Sequence, residues 1–214
     1  MTTITAHAGA LHTEENTRES LHAILEFIGR DVVEVDVRFS RDGTPVLSHH
    51  APVREDAFAL EGCFALAQGY QARLNLDLKE SGGNLAAVKA LLERHDMAGR
   101  AFFTGLRNAG DVRAVRGCGI PWYLNVYTPR WLPFAASWMA LRAKALGAVG
   151  LNMPHKRCCK AVVRAARRAG LLVSVWTVDE PAEMARLLRL GVDNITTRHP
   201  DVLRELIGGC EQKA

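Results

Sequence analysis

The sequence predicts an α/β protein that folds as a single (β/α)8 barrel, and three observations support this. Eight short apolar or alternating segments recur along the 214 residues, roughly 27 residues per unit, and amphipathic segments separate them. No GxGxxG motif follows the first strand candidate, and polar residues end many strands, which disfavours the competing doubly wound open sheet. No linker or low-complexity segment divides the chain, so we predict one domain over residues 1–214.

The elements follow from the spacing of apolar residues. Strand candidates lie at residues 4–7, 32–37, 73–78, 101–104, 121–126, 148–152, 171–177 and 192–196. Helix candidates lie at 17–28, 85–94, 109–117, 134–146, 156–169, 181–190 and 200–207. Gly170 and Gly191 each follow a helix candidate and are expected to end it. Asp42-Gly43 lies between two extended runs and predicts a small hairpin after the second strand.

Composition narrows the class of protein. The chain has 27 Lys and Arg against 23 Asp and Glu, and this net charge of +4 is spread along it, which disfavours nucleic acid as a partner and leaves a small anionic substrate open. Five cysteines without CxxC spacing predict reduced thiols. The start of the chain has no signal-peptide pattern, and Arg142 and Lys144 interrupt its most apolar stretch. We expect a cytoplasmic protein without a membrane span, and the sequence predicts no oligomeric state.

The second strand candidate carries two carboxylates on one face. Two-residue periodicity places its three valines on the face that packs against helices, and places Glu34 and Asp36 toward the barrel interior. Two such carboxylates are costly in a partly dehydrated site unless a cation or proton joins them. A hard divalent ion with oxygen ligands, Mg²⁺ or Ca²⁺, would satisfy both. The alternative is a structural pair neutralised by Arg or Lys on neighbouring strands.

The third strand candidate and two histidines extend this site. Its alternation places Asp77 and Lys79 on the inward face, so Asp77 adds a third carboxylate, and Lys79 either neutralises the cluster or binds a phosphate. His7 closes the first strand candidate, and His49 ends the extended run that returns from the hairpin. Both can reach the mouth of the barrel, where two imidazoles beside a metal are suited to acid/base chemistry.

Six segments resemble the glycerophosphodiester phosphodiesterase family, in order over nearly the whole chain. They are AHAG at 6–9, EENT at 14–17, EVDV at 34–37, DGTPVLSHH at 42–50, LNLDLK at 74–79, and GLLVSVWTVDEPAEMARLLRLGVDNITTRHPDVL at 170–203. The series WTVD, GVDNITT and HPD is the most specific part. The resemblance implies a metal-dependent TIM barrel that hydrolyses glycerophosphodiesters to glycerol 3-phosphate and an alcohol.

The resemblance also implies a role for each matching residue. His7 and His49 become the acid/base pair, and a divalent metal, Mg²⁺ or Ca²⁺, is held by Glu34, Asp36 and Asp77. The substrate-binding residues it implies are Lys79, as a phosphate or cluster contact, and Trp176, as a wall of the pocket, with His50 beside them.

Several positions depart from the family pattern. An Arg that contacts phosphate usually follows the first His, and this chain has Ala8. His50 replaces the usual Asp after the second His, Asp77 replaces the usual Glu, and Glu14 replaces a Pro. The segment between residues 50 and 74 is short, which predicts a reduced lid insertion.

These departures leave alternatives open. The aromatic residues at 122–123 and 131–138 either pack in the core, receive an acyl chain at the mouth, or form a dimer contact. A lysophospholipase D-like enzyme acting on a lysophospholipid and a cyclising phosphodiesterase are therefore alternatives to simple hydrolysis. A third alternative is a catalytically silent barrel that binds a phosphodiester without cleaving it.

Overall fold

Eight parallel strands form one barrel-shaped sheet in the computed structural model, which describes residues 2–80, 82–106, 109–127 and 135–211. The strands, with the short hairpin strand β3, are β1 Thr3–Ala6, β2 Val32–Phe39, β3 Pro45–Leu47, β4 Arg73–Leu78, β5 Ala101–Thr104, β6 Tyr123–Asn125, β7 Gly150–Pro154, β8 Leu172–Trp176 and β9 Asn194–Thr197. Neighbours follow the order β5-β4-β2-β1-β9-β8-β7-β6. A parallel bridge between Phe103 and Trp122 joins the two ends of this path. The predicted (β/α)8 barrel is confirmed.

Helices alternate with the strands. They are α1 Arg18–Ile28, α2 Leu60–Ala67, α3 Leu85–Arg94, α4 Ala109–Arg116, α5 Ala135–Leu146, α6 Lys160–Ala169, α7 Pro181–Leu190 and α8 Pro200–Glu211, with 3₁₀ turns at Ala98–Arg100 and His155–Arg157. Thr17 caps α1, because its hydroxyl accepts from the Ser20 amide while the Ser20 hydroxyl accepts from the Thr17 amide. Gly170 and Gly191 end α6 and α7 in the left-handed conformation, as predicted.

Two helical segments differ from the sequence prediction. Helix α2 was not predicted, although Leu60, Cys63, Phe64 and Ala67 have helical spacing and are buried. The helix predicted over 156–169 begins only at Lys160, because His155–Arg157 forms a 3₁₀ turn and the preceding cap residue is extended. The shortened connection between β3 and β4 therefore contains a packed helix.

The hairpin predicted after the second strand is present and positions part of the mouth. Strand β3 pairs antiparallel with the end of β2, in a register that joins Phe39 to Pro45, and Gly43 adopts a positive φ of 82° in the turn. The Ser48 amide then donates to the Asp36 carbonyl at 2.9 Å. This bond holds the residue before His49 against the strand that carries the carboxylates.

The barrel separates apolar packing from a polar interior. The outward valines of β2 belong to the continuous apolar core that also contains Leu21 and Ile24 of α1. Inside the barrel, Asn194 accepts from Thr5 at 2.7 Å and donates to Ser174 at 2.9 Å. These buried groups satisfy one another, which makes a hydrogen-bonded floor below the mouth. Across the described ranges, no helix is both long and apolar enough to cross a membrane.

The cysteines serve packing rather than cross-linking. Cys63, Cys118 and Cys158 are buried free thiols and Cys159 is an exposed one, as predicted for reduced cysteines. Burial raises the pKa of Cys63 and Cys158 to about 12, which keeps both thiols protonated. Neither of these buried thiols is therefore a candidate nucleophile.

Candidate active site

A cavity of about 220 Å³ opens at the carboxyl ends of the barrel strands. Six of the eight predicted site residues line it, namely His7, Glu34, His49, Asp77, Lys79 and Trp176. Asp36 lies directly behind this lining, fully buried and in contact with His49 and Lys79. The exposed His50 lies in a neighbouring groove of about 660 Å³, against the ring of His49.

The three predicted carboxylates converge. Strands β2 and β4 pair in a register that places Asp36 beside Asp77 and Glu34 beside Asn75. One oxygen from each of Glu34, Asp36 and Asp77 lies within 4.8 Å of the others. Among the buried side-chain oxygens of the described residues, Glu34 Oε2 and Asp36 Oδ1 have no hydrogen-bond donor. Buried oxygens without donors are the expected ligands of a hard cation.

Glu34 is in the least favourable environment for a charge. Its side chain is buried, and burial raises its pKa well above the ordinary value, with further increases from the charges of Asp77 and Asp36. The positive charge of Lys79 opposes the shift without reversing it. A bound cation would remove this repulsion.

The side chains of Asn16, Lys79 and His49 contact the Asp36 carboxylate. Asn16 donates from Nδ2 to Asp36 Oδ2 at 2.8 Å, and its own oxygen accepts from the Asp36 amide at 3.1 Å. Burial alone would raise the pKa of Asp36, but the charge and close approach of Lys79, together with the Asn16 hydrogen bond, lower it below the ordinary value. Asp36 is therefore ionised at neutral pH.

Lys79 bridges two carboxylates. Its Nζ lies 2.7 Å from Asp36 Oδ1, as an ion pair outside hydrogen-bond geometry, and donates to Asp77 Oδ2 at 2.5 Å. The two carboxylates raise the pKa of Lys79 despite its burial. Thr104 donates to the second Asp77 oxygen at 2.8 Å. Of the two predicted roles for Lys79, the structure places it as a contact of the acidic cluster.

The chain after β5 approaches Asp77 so closely that only glycine fits. A Cβ at Gly105 would lie 2.3 Å from the Leu78 carbonyl oxygen and 2.7 Å from Asp77 Oδ1, and its φ is +81°. A side chain here would displace the third carboxylate.

The two histidines have opposite hydrogen-bond arrangements. His49 Nδ1 lies 3.0 Å from Asp36 Oδ2, a carboxylate that can only accept, so Nδ1 carries the proton and Nε2 is the acceptor. His7 Nδ1 accepts from the Gly9 amide at 3.3 Å, so its proton lies on Nε2. Burial lowers the pKa of His7, and the charge of Arg198 lowers it further. The pair therefore offers one acceptor and one donor.

On the opposite side of the cavity, the described lining residues up to Thr196 carry no charge, and two of them are aromatic. Asn152 donates to Asn125 Oδ1 at 2.9 Å, and both line the cavity. The buried indole nitrogen of Trp176 has no acceptor among the described residues, and its ring meets Tyr127 edge-on at 6.4 Å between centroids. These groups can bind hydroxyls and the carbon skeleton of a small ligand.

Several residues in or beside the cavity were not predicted from the sequence. Asn16 belongs to the EENT segment but had no assigned role, and its φ of +61° is what folds it onto Asp36. Asn125 ends the three-residue strand β6, and Asn152 is the middle residue of the five-residue strand β7, so two-residue alternation was too brief to show a face. Arg198 directly follows β9, and the rule that barrel sites form at the carboxyl ends of strands could have identified it.

Other predictions fall away from the cavity or outside the described residues. His22, His95 and His155 lie outside the cavity lining and pair with surface or half-buried glutamates. Residues 128–134, which contain most of the predicted aromatic loop, lie outside the described part of the chain. Trp138 on α5 is exposed and stacks with Arg142.

Comparison with known proteins gives one consistent family. The sequence profile of the glycerophosphoryl diester phosphodiesterase family matches residues 7–97 and 120–202. A glycerophosphodiester phosphodiesterase of Arabidopsis thaliana is 37% identical over 67 residues, which is 31% of this chain and 20% of that relative. The match thus spans only about a fifth of the relative's length.

Solved structures share the fold. A phosphodiesterase of Oleispira antarctica, in complex with sn-glycerol-3-phosphate, superposes with a TM-score of 0.82 at 21% identity and covers 97% of both chains. A glycerophosphodiester phosphodiesterase of Parabacteroides distasonis gives a TM-score of 0.82 at 22% identity over 98% of both chains. At these identities the likeness establishes the barrel.

Proposed function

Because this chain belongs to the glycerophosphoryl diester phosphodiesterase family, we propose that it hydrolyses glycerophosphodiesters to glycerol 3-phosphate and an alcohol with the help of a divalent cation. Membership confirms the resemblance predicted from the motifs. The observation that supports the reaction best is the convergence of three carboxylates, one proton acceptor and one proton donor around a cavity of about 220 Å³.

The donor set fits a divalent cation. Glu34, Asp36 and Asp77 would hold it, since one oxygen of each lies within 4.8 Å of the others and the buried Glu34 Oε2 lacks a hydrogen-bond donor. When bound, such an ion withdraws charge from a phosphoryl oxygen and lowers the pKa of a coordinated hydroxyl. Mg²⁺ and Ca²⁺ both suit an all-oxygen set. Asn16 and Lys79 fix the Asp36 carboxylate, so its position does not depend on the ion alone.

The histidines divide the two proton transfers. His49 accepts a proton from the attacking water at Nε2, because Asp36 holds its Nδ1 proton and stabilises the imidazolium that forms. A new P–O bond forms as the bond to the alcohol breaks. His7 would give its Nε2 proton to the departing alkoxide from the imidazolium form, in which Nδ1 no longer accepts from the Gly9 amide and faces Glu15 Oε1 at 3.8 Å. Its lowered pKa makes that form a stronger acid than an ordinary histidine. Protons and bonds balance in this scheme.

The uncharged side of the cavity would receive the glycerol moiety. Asn125 and Asn152 present amide groups suited to hydroxyls, and Trp176 adds an apolar wall with an N–H donor at its edge. The Oleispira antarctica relative was solved with sn-glycerol-3-phosphate, the product that this reaction would release. His50 lies outside the cavity, in the neighbouring groove.

The test is release of glycerol 3-phosphate from a panel of glycerophosphodiesters, with Mg²⁺, Ca²⁺ or Mn²⁺ added to protein treated with a chelator. We expect turnover with at least one ion and none with the chelator alone. Absence of turnover with all three ions would reject the proposal. So would full activity after His49→Ala.

Product analysis separates the alternatives. Release of the head-group alcohol from a lysophospholipid would indicate lysophospholipase D activity, and a cyclic phosphate product would indicate attack by a substrate hydroxyl. Binding of the diester without any product over long incubation would indicate the silent barrel.

A further inference from the structure

We propose that Arg198 binds the phosphoryl group of the substrate, at a position beside His7 on the rim of the cavity. This inference rests on the proposed function and names the residue that holds the anion. It concerns a residue with no counterpart among the predicted site residues.

The cavity offers few positively charged side chains to an anion. Among the described residues that line the cavity, two side chains carry a fixed positive charge, Lys79 and Arg198. Lys79 lies between the carboxylates of Asp36 and Asp77, at 2.7 and 2.5 Å, and is largely buried. An anion that approached Lys79 would also approach the two carboxylates that already pair with its Nζ. Lys79 is therefore occupied with the acidic cluster, and Arg198 is left for the anion.

Asp179 orients the Arg198 guanidinium. Arg198 Nη1 donates to Asp179 Oδ2 at 2.9 Å, and the Arg198 amide donates to Asp179 Oδ1 at 2.9 Å. Asp179 thus ties one edge of the side chain to the end of β8. Arg198 Nη2 lies 3.9 Å from Glu15 Oε1, which is too far for a hydrogen bond. Since a guanidinium has five N–H donors, the Asp179 contact leaves donors for phosphate oxygens.

The pairing of β1 with β9 sets the position of Arg198 relative to the reacting groups. Strands β1 and β9 pair with Ala6 beside Thr197, and the His7 amide donates to the Thr197 carbonyl at 2.9 Å. Arg198 and His7 are therefore neighbours where these two strands end. Arg198 is also the second cause, after burial, of the lowered His7 pKa, which agrees with this proximity. A phosphoryl group bound by Arg198 would lie next to the nitrogen that protonates the leaving oxygen.

The residue after His7 provides no side-chain hydrogen-bond donor for a phosphate. Ala8 follows His7 and is buried, so it offers no side-chain donor at this end of β1. The amide of Leu11 donates to the Arg198 carbonyl at 3.0 Å, which fixes the loop after His7 against Arg198. Among the described residues that line this side of the cavity, Arg198 after β9 is therefore the side-chain cation beside His7.

The test measures binding of inorganic phosphate and of glycerol 3-phosphate by titration calorimetry, in protein with Mg²⁺ or Ca²⁺ and in protein treated with a chelator. We expect Arg198→Gln to weaken binding of both probes by about 10- to 100-fold, the loss typical of a hydrogen bond to a charged group. Arg198→Lys, which keeps the charge but not the fork, should lose less. Circular dichroism and thermal unfolding check that each variant folds.

Arg186→Gln is the matched control. Arg186 pairs with Glu183 in the same way, on α7 and outside the cavity lining, so its loss changes net charge equally without touching the site. Wild-type affinity in Arg198→Gln, an equal loss in Arg186→Gln, or no binding of either probe by the wild type at millimolar concentration would each overturn the proposal. If the wild type binds phosphate through Arg198 but cleaves no glycerophosphodiester, the proposed function fails while the anion site stands.

Discussion

The two halves of the barrel rim differ in the chemistry they carry. The half formed by β1, β2 with its hairpin strand β3, and β4 carries His7, three carboxylates with oxygens within 4.8 Å of one another, and Lys79 and His49 in ion pairs with Asp36. The half formed by β6, β7 and β8 carries amides and an indole, and among the described lining residues beyond β8 only Arg198 is charged.

From this difference we propose that the first half breaks the bond and the second half recognises the substrate. Buried like charges are costly in a folded protein unless counter-charges neutralise them, and Lys79 pairs with only two of the three carboxylates, whereas amides and aromatic rings suit neutral hydroxyls. Substitutions in the first half should therefore lower kcat, and those in the second half should raise KM. The following predictions test that division.

The largest effect is expected for Glu34→Gln. Replacing this buried carboxylate removes a charged oxygen of the cluster, so we expect activity to fall by at least roughly 10³-fold. In chelator-treated protein the same variant should be no less stable than wild type above pH 5, because the raised pKa of Glu34 means that its charge is unfavourable in the fold. Steady-state kinetics and calorimetric unfolding measure the two effects.

The exposed Glu26 on α1 provides the control for that substitution. Glu26→Gln removes the same charge far from the cavity and should leave both activity and unfolding temperature near the wild-type values. Marked destabilisation of metal-free Glu34→Gln would contradict the interpretation of an uncompensated charge.

The next largest effect separates the two histidines. His7→Gln and His49→Gln should each lower hydrolysis of an alkyl glycerophosphodiester by roughly 10²- to 10⁴-fold. With 4-nitrophenol as the leaving group, no protonation is needed, so His7→Gln should recover most of its activity while His49→Gln should not. Rate measurements on both substrates decide the matter. If only His49→Gln recovered activity with the 4-nitrophenol ester, His49 would be the proton donor and His7 the proton acceptor.

Much of this first half could be predicted from the sequence. Alternation in β2 and β4 is long enough to assign faces, so Glu34, Asp36 and Asp77 were expected to converge, and the structure brings their oxygens within 4.8 Å. The hairpin turn at Gly43 and the position of His49 followed from the same local rules. The individual metal and catalytic roles remain predictions.

The second half was less predictable for physical reasons. Strand β6 has three residues, which is too short for a period of two to distinguish inward from outward positions. Asn125 acquires its role through Asn152 on the next strand, a contact 27 residues away. Arg198 depends on Asp179 at the end of another strand, and such pairings follow from the register of the sheet, which local pattern does not contain.

A smaller effect is expected in the recognition half. Asn152→Ala removes a hydrogen-bonding group from the cavity and frees Asn125, so KM should rise by roughly 3- to 15-fold with kcat changed little. Asn194→Ala is the control, since Asn194 is buried in the floor and bonds only Thr5 and Ser174 among described side chains. It should lower the free energy of unfolding by about 1–3 kcal/mol and leave KM unchanged. A fall in kcat alone for Asn152→Ala would contradict the division.

The smallest effect links the two halves through charge. His7 has a pKa below its ordinary 6.5, because burial and then Arg198 disfavour the imidazolium. The folded state therefore binds its proton less readily than the unfolded chain, and this group's contribution to stability declines as pH falls below about 6.5. NMR titration of the His7 ring in chelator-treated protein should give a midpoint below 6.5. Arg198→Gln should move that midpoint upward and Arg186→Gln should leave it in place, whereas an unmoved midpoint in Arg198→Gln would show that burial alone sets the pKa and that the two halves of the rim are electrostatically independent.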